Sequence, residues 1–421
     1  MGNCLNRTAA GDISVSVGSS NTVVPSMMSN RLEDALYAIE NNITSFKEFR
    51  IGQHGHIDQP NRDHFSRLGS AIARNTHITL LVLNNGYCLD DVDRIVNSGF
   101  FEGLKRNSSI HRVMFHCGHH IDVIHETLKA YKENNNLTYL NIDNARIVSA
   151  AYPVLHLAET LRCCTNLKHI NFENCRITDE QLLPMVDAVR GHELLEKLLL
   201  SENSIGDAGC EVVATLLEDP SCNLQVLDLS FNTVSSGGAR CIAKSLSKNN
   251  QLQKLYLNNN RMTRPSPILQ GVVSRVLCDT SSINNTHSSN HTMEEVFLFV
   301  GSEKPTFHII TKILKLNKGT NKSHVAIKKI LKYHSNIDLS TLYDWDSGDE
   351  WTLKALPYVV GWFDKARDAV VNNDDEESYN IDTRTLSAIY QFARAMPLMF
   401  VPSSHIKAED KKRKRIDNVI A

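Results

Sequence analysis

Sulfur and imidazole crowd together at one place in this chain. His116-Cys117-Gly118-His119-His120 carries four candidate zinc donors, with His111 and His125 nearby. Their spacing argues against a metal site. His116 and Cys117 end an extended segment, where successive side chains point to opposite sides. His119 and His120 fall in the turn beyond, so few of the donors converge. No metal ligand is assigned, and His54 and His56, both in a turn, are read the same way. The chain has no G-x-x-x-x-G-K-[ST], no G-x-G-x-x-G and no G-x-S-x-G. The acidic run around Asp344, Asp346, Asp349 and Glu350 lacks the spacing of a calcium loop. The expectation is a non-enzyme with no catalytic residue, no cofactor and no metal.

Two stretches suggest modification or addressing instead. The chain opens Met-Gly-Asn-Cys-Leu-Asn. Gly2 is a myristoylation acceptor once Met1 is removed, and Cys4 is a palmitoylation acceptor. Two acyl chains together would hold a membrane stably. Asn6 stands where the motif wants Ser or Thr, so membrane contact is expected only if the N-terminus is acylated. Near the other end, Lys411-Lys-Arg-Lys-Arg415 serves either as a nuclear import address or as a contact with anionic lipid. No apolar run reaches the roughly 18–20 residues of a membrane span, and no secretory signal is visible. The 10 cysteines are scattered, as small apolar residues of a reducing compartment would be. The expected location is cytoplasmic. A net charge of −2 gives no general field for nucleic acid, and no nucleic-acid partner is expected.

What positions these residues is a repeat. Nine-residue stretches begin at Leu137, Leu167, Leu195, Leu224 and Leu252, stepping by 30, 28, 29 and 28. Leu195-Glu-Lys-Leu-Leu-Leu-Ser-Glu-Asn203 is representative. Four of the five fit L-x-x-L-x-L-x-x-N/C, with Ile170 and Phe172 for leucine; the first departs only at Ala145. This is the leucine-rich-repeat signature. The fourth and sixth places lie two apart on a strand and face one core. Asn203, Asn232 and Asn260 are placed to bond the backbone of the turn, and Cys175 is their small, buryable substitute. Ile147, Ile177, Ile205, Val234 and Met262 close that turn.

The second half of each repeat predicts a helix. Ser149 to Leu161 offers Leu155, Ala158 and Leu161 at helical spacing, and Asp179 to Val189 offers Leu182, Val186 and Val189. Asp207 to Leu217 and Ser236 to Leu246 follow, and Thr178, Gly206 and Ser235 lie at cap positions. The period, with Ile205-Gly-Asp-Ala-Gly209 and Val234-Ser-Ser-Gly-Gly-Ala239 after the asparagines, resembles the ribonuclease-inhibitor-like class of these repeats. The resemblance covers roughly 60% of the chain, counting degenerate repeats. It implies an α/β right-handed leucine-rich-repeat solenoid, a horseshoe with strands inside and helices outside. It implies no reaction.

The organisation expected is a flexible leader over 1–30, about nine repeats over 31–301, a helical C-terminal region over 302–400 and a charged tail over 401–421. Arg31 to Asn41 is a capping helix. Phe46, Ile78 and Ile110 start degenerate repeats. Ile268 to Leu277 is helical, Asp279 to Thr292 a polar loop, and Met293 restarts the pattern after an insertion of about 12 residues. Thr306–Leu316, Ser323–His334, Thr352–Val371 and Ile381–Met396 read as helices that cover the last strand, with Trp345, Trp351, Tyr358, Trp362 and Phe363 crowded among them.

The third, fifth, seventh and eighth places of each strand face away from the core, onto the concave wall. Tyr139, Phe231, Tyr256, Phe297 and Phe299 supply aromatic anchors there, a type favoured at interface centres. Asp143, Glu173 and Asp228 form an acidic strip. The protein-binding residues assigned are Tyr139, Asp143, His169, Glu173, Asp228, Phe231, Lys254 and Tyr256. The function expected is a non-enzymatic intracellular scaffold for another protein, one with a basic patch. The alternative is a regulator of a small GTPase, with Arg50 or Arg112 as its arginine, or a membrane-tethered signalling adaptor.

Overall fold

The computed structural model describes residues 31–52, 62–84, 95, 97–116, 121–144, 151–262, 267–298 and 308–334. Gly2 and Cys4, the turn with His54 and His56, Cys117 to His120, Ile147, Phe299, the C-terminal aromatic group and Lys411 to Arg415 lie outside these residues. Strands and helices alternate. The chain runs α1 (Arg31–Glu40), β1 (Glu48–Ile51), α2 (Arg62–Ile72), β2 (Leu80–Asn84), α3 (Phe100–Arg106), β3 (Arg112–His116), α4 (Ile121–Asn134), β4 (Tyr139–Asp143) and α5 (Ala151–Cys163). It continues β5 (His169–Asn171), α6 (Asp179–Val189), β6 (Lys197–Leu199), α7 (Asp207–Leu217), β7 (Val226–Asp228), α8 (Ser236–Ser245) and β8 (Lys254–Tyr256). Then come α9 (Pro267–Leu277), α10 (Ile283–His287), β9 (Glu295–Phe297), α11 (His308–Asn317) and α12 (Lys322–Tyr333).

All nine strands form one parallel sheet in sequence order. The register never slips between repeats. Arg112 pairs with Tyr139, Tyr139 with His169, His169 with Lys197, Lys197 with Val226, Val226 with Lys254 and Lys254 with Glu295. Each repeat place therefore forms a straight row across the sheet. Parallel neighbours joined through a helix take the right-handed crossover. The result is the α/β leucine-rich-repeat solenoid. No helix among the described residues is long and apolar enough to cross a membrane.

The core is the stacked set of inward side chains. Leu140, Ile142, Ile170, Leu198, Leu200, Leu227, Leu229, Leu255 and Leu257 are all buried, with Ile177, Ile205 and Val234 closing the turns. A single repeat cannot bury these side chains alone, so stacking supplies the driving force. The first repeats use larger side chains, and Phe65 meets Phe100 edge-on at 5.6 Å. There α2 and α3 touch backbone to backbone at Gly69 and Gly103, where a Cβ on either would strike the other segment's carbonyl.

Polar side chains hold the repeats in line. Asn232 Nδ2 donates to Leu200, Leu229 and Ser230 carbonyls at 2.9, 3.2 and 3.0 Å, and its Oδ1 accepts from Ile205 N at 3.0 Å. Asn203 and Asn260 repeat the pattern one repeat to either side. Cys175, fully buried, substitutes with Sγ on the Ile142 carbonyl at 2.8 Å. A second asparagine series lies at the opposite end of the strands. Asn75, Asn107, Asn249 and Asn290 each donate to the helix end of the preceding repeat and accept from the chain entering their own strand.

The structure differs from expectation at two places. Leu155 is 49% exposed rather than in the core. The buried stripe runs through Leu157, Ala158 and Leu161 of α5 to Cys164 just after it, and at 100° per residue Leu155 lies about 200° from Leu157. The insertion also holds a short helix, α10, and is pinned at Asn290. There Nδ2 reaches the Leu246 and Asn249 carbonyls at 2.9 and 2.8 Å.

Behind that insertion α12 carries a fully buried lysine. Lys329 Nζ donates to the carbonyls of Leu277 and Asn290 at 2.5 and 2.9 Å and lies 3.0 Å from His291 Nδ1. Burial lowers the Lys329 ammonium to about 7 and, with Lys329 beside it, lowers the His291 imidazole to about 4.

Two outcomes follow from these contacts. Asn232→Ala strands several buried backbone groups and is expected to cost about 3 kcal/mol in urea unfolding, beyond the roughly 0.5 kcal/mol of a surface change. A normal midpoint would show the asparagine series to be incidental. Between about pH 7 and 10.5 the unfolded chain holds the Lys329 proton and the folded chain does not. Stability from this group therefore rises with pH across that window. Lys329→Met should flatten the rise; an unchanged pH profile would contradict it.

Candidate functional site

Because the register is constant, the open face of the sheet is a grid. The third-place row runs Arg112, Tyr139, His169, Lys197, Val226, Lys254, Glu295. The fifth-place row runs Met114, Asn141, Asn171, Leu199, Asp228, Tyr256, Phe297. Backbone hydrogen bonds continue beyond the regular strands, from Asn144 N to the Glu173 carbonyl and on through Asn174, Glu202 and Phe231 to the Asn258 carbonyl. The seventh and eighth places are therefore ordered with the grid.

Aromatic side chains form two separate groups on it. In the first, the Arg112 guanidinium stands 5.0 Å over the Tyr139 ring, which meets His169 edge-on at 5.7 Å. Burial and Lys197 hold the His169 imidazole below its usual value, so the ring is neutral near pH 7. In the second group Tyr256 stacks on Phe297 at 5.2 Å and 9°. Phe297 is 48% exposed and Phe231 43%, while Tyr256 is half-buried. Lys254 is tied to Glu295 at 3.3 Å. Arg50 pairs with Glu48 in β1, so both arginines considered for a GTPase are engaged within the sheet.

Between the aromatic groups lie carboxylates. Burial pushes the Glu173 carboxyl up, and Glu202, Asp228 and Asp143 push it further. Burial also raises Asp228, despite the Ser230 N and Oγ donating to its Oδ1 at 2.8 and 2.5 Å. Asn171 caps Glu173 N in the same way at 2.9 Å. Asn171 and Asp228 thus each spend one side-chain oxygen on the turn. These carboxylates repel one another in a partly dry setting, and a cationic ligand would relieve that repulsion.

The eighth place is the feature that spacing alone missed. Asn144, Asn174, Glu202, Phe231 and Asn259 have φ of 55°, 51°, 55°, 54° and 57°. Every one is left-handed. Asn tolerates this conformation, whereas a bulky side chain is an outlier there. Recurrent Asn at that place was the readable signal. Phe231 holds an exposed ring at a strained position, a combination that stability alone would not favour.

Of the assigned residues, Tyr139 and His169 touch, and Asp143, Glu173 and Asp228 fall within one electrostatic neighbourhood. Tyr256 belongs with Phe297, and Phe231 stands on the rim. Glu202, Asn141 and Lys197 join the face without having been assigned. The third-place row also carries Arg112, Lys197 and Lys254, so the wall is not uniformly acidic. The described histidines of the sulfur–imidazole cluster sit on different elements: His111 precedes β3, His116 ends it and His125 lies in α4. Among the described residues no three His, Cys, Asp or Glu side chains are gathered as for a metal.

A family model, the Leucine Rich repeat, matches residues 163–180 and 221–243. The bovine NACHT, LRR and PYD domains-containing protein 3 is 28% identical over 130 residues, 31% of this chain and 13% of that protein. Pig ribonuclease inhibitor is 26% identical over 132 residues, 31% of this chain and 28% of the inhibitor. The chain therefore matches well under two thirds of either relative. A solved Listeria monocytogenes internalin covers 67% of this chain and 93% of its own, at 13% identity and a TM-score of 0.33. That score adds nothing to the strand order itself.

Phe231→Asn is expected to raise stability by roughly 1 kcal/mol by relieving the left-handed strain. A urea midpoint that stays put or falls would mean that the ring contributes packing the exposure does not show.

Proposed function

We propose, for a chain that is a ribonuclease-inhibitor-like leucine-rich-repeat protein, that it binds another protein on the open face of its sheet and catalyses no reaction. The observation that carries this reading is the strained, exposed Phe231 in the repeat that adjoins the stacked Tyr256 and Phe297. Rigid aromatic rings with one face open lose little entropy on contact and dominate interface energetics. Repeat solenoids offer such surfaces because successive repeats present side chains in rows. One of the relatives is, by its name, an inhibitor, a protein that acts on another protein.

The carboxylates sharpen the choice of partner. Burial raises both Glu173 and Asp228, and the neighbouring carboxylates push Glu173 further. A partner that sets Lys or Arg beside them recovers that energy, whereas an acidic one meets further repulsion. The preferred partner therefore presents a basic patch together with an apolar anchor for the three aromatic rings.

Proximity labelling around the full chain would identify partners, and pull-down would test the face. Tyr256→Ala combined with Phe231→Asn should lower recovery at least about tenfold, the scale of an interface hot spot. Leu183→Ala, on the exposed side of α6, should leave it unchanged. Undiminished recovery by the aromatic variant would place binding elsewhere.

A further inference from the structure

We propose that the carboxylates of the fourth to seventh repeats dock this chain's own basic run, Lys411-Lys412-Arg413-Lys414-Arg415, so that the run competes with the partner for the open face. The inference rests on the reading of that face as the binding surface.

Several acidic side chains on the helices and beside the sheet already have a cation. Arg67 serves Glu33 and Glu40, Lys254 serves Glu295, Lys322 serves Glu294, and Lys248 serves Glu218. Glu173, Glu202 and Asp228 are different. Among the described residues no Lys, Arg or His lies within ion-pair distance of any of the three. Asp143 stands beside Glu173 in the adjacent repeat, at the same seventh place.

A second observation points to a missing donor. Asn141 is on the same strand and the same face as Asp143, one pleat away, and keeps only 6% of its surface exposed. Its Oδ1 has no hydrogen-bond partner. A buried amide oxygen without a donor costs about 1–3 kcal/mol, and an N–H from an ammonium or guanidinium would remove that cost. Carboxylates and an orphan amide oxygen are all acceptors, so a multiply charged cationic segment is the ligand they fit.

The length is right as well. Four neighbouring strands span about 14 Å at about 4.8 Å per step. Five extended residues span about 17 Å. The basic pentamer is the only uninterrupted run of five Lys or Arg in the sequence, and residues 335–410 are ample chain to bring it back across the sheet. Intramolecular docking raises the effective concentration of the run, so a modest contact suffices to hold it. A partner with a stronger basic patch and an aromatic anchor would displace it, since the run offers nothing to Phe231, Tyr256 or Phe297.

Zero-length carbodiimide cross-linking of the full chain, read by mass spectrometry on the monomer fraction, tests this directly. Lys411, Lys412 or Lys414 should be joined to Glu173, Glu202 or Asp228. Those links should fall at least about tenfold at high salt, or in a chain with Glu173→Gln, Glu202→Gln and Asp228→Asn. A chain with its five tail cations changed to Glu keeps the sheet intact and should show no such links. Absence of tail links in the unaltered chain would overturn the proposal. So would tail links to helix carboxylates such as Glu180 and Glu211, links found only between two copies, or links that survive the triple variant. The readout involves no partner, so it can fail while the aromatic variants still abolish partner capture, and the reverse.

Discussion

The turns after β5, β6 and β7 are each completed by an asparagine of the next repeat. The chain leaves β4 to β8 through a left-handed residue, and such an asparagine bonds backbone groups of its own turn and of the neighbouring repeat. Asn232 holds the carbonyls of Leu200 and Leu229 and the N–H of Ile205 with one side chain. Burying unpaired backbone groups is costly, so this contact fixes both the spacing and the phase of adjacent repeats. The second asparagine series does the same where helices hand over to strands. Leucine burial drives stacking, but the amides decide the register in which stacking occurs.

A constant register has a functional consequence. Each repeat place becomes a row, and the open face can be written one residue per repeat. The third-place row carries Arg112, Lys197 and Lys254, the fifth carries Asp228 and the stacked rings, and the seventh and eighth carry Asp143, Glu173 and Glu202. No fold constraint asks for that distribution. Neighbouring carboxylates push Glu173 up, and Phe231 keeps a bulky ring at positive φ. A sheet face that tolerates repulsion and strain in adjoining repeats is better explained by what it contacts than by its own stability.

Much of the architecture was legible because leucine spacing reports strand period and helix period at once. The strands at Leu137 to Leu252, the degenerate ones before them and the displaced one at Met293 follow from that pattern. Leu155 was misread because three-residue spacing to Ala158 is helical on its own, yet Leu157, Leu161 and Cys164 set the buried stripe. The insertion read as a polar loop because α10 is only one turn long and its anchors, Thr286 and Asn290, are polar. At the candidate site the rows were readable from strand alternation. The left-handed eighth place was not, since φ is set by the turn as a whole and Phe231 is the residue type least expected there. Nor was the unpartnered Asn141, whose burial depends on its neighbours rather than on its own repeat.

The most direct measurement is hydroxyl-radical footprinting of the full chain with and without a partner recovered by proximity labelling. Phe231, Tyr256 and Phe297 should lose reactivity together in the complex, while Tyr37 and Leu183 on the helical side stay reactive. Protection confined to the helices, with the three rings as reactive as in the free protein, would contradict the account.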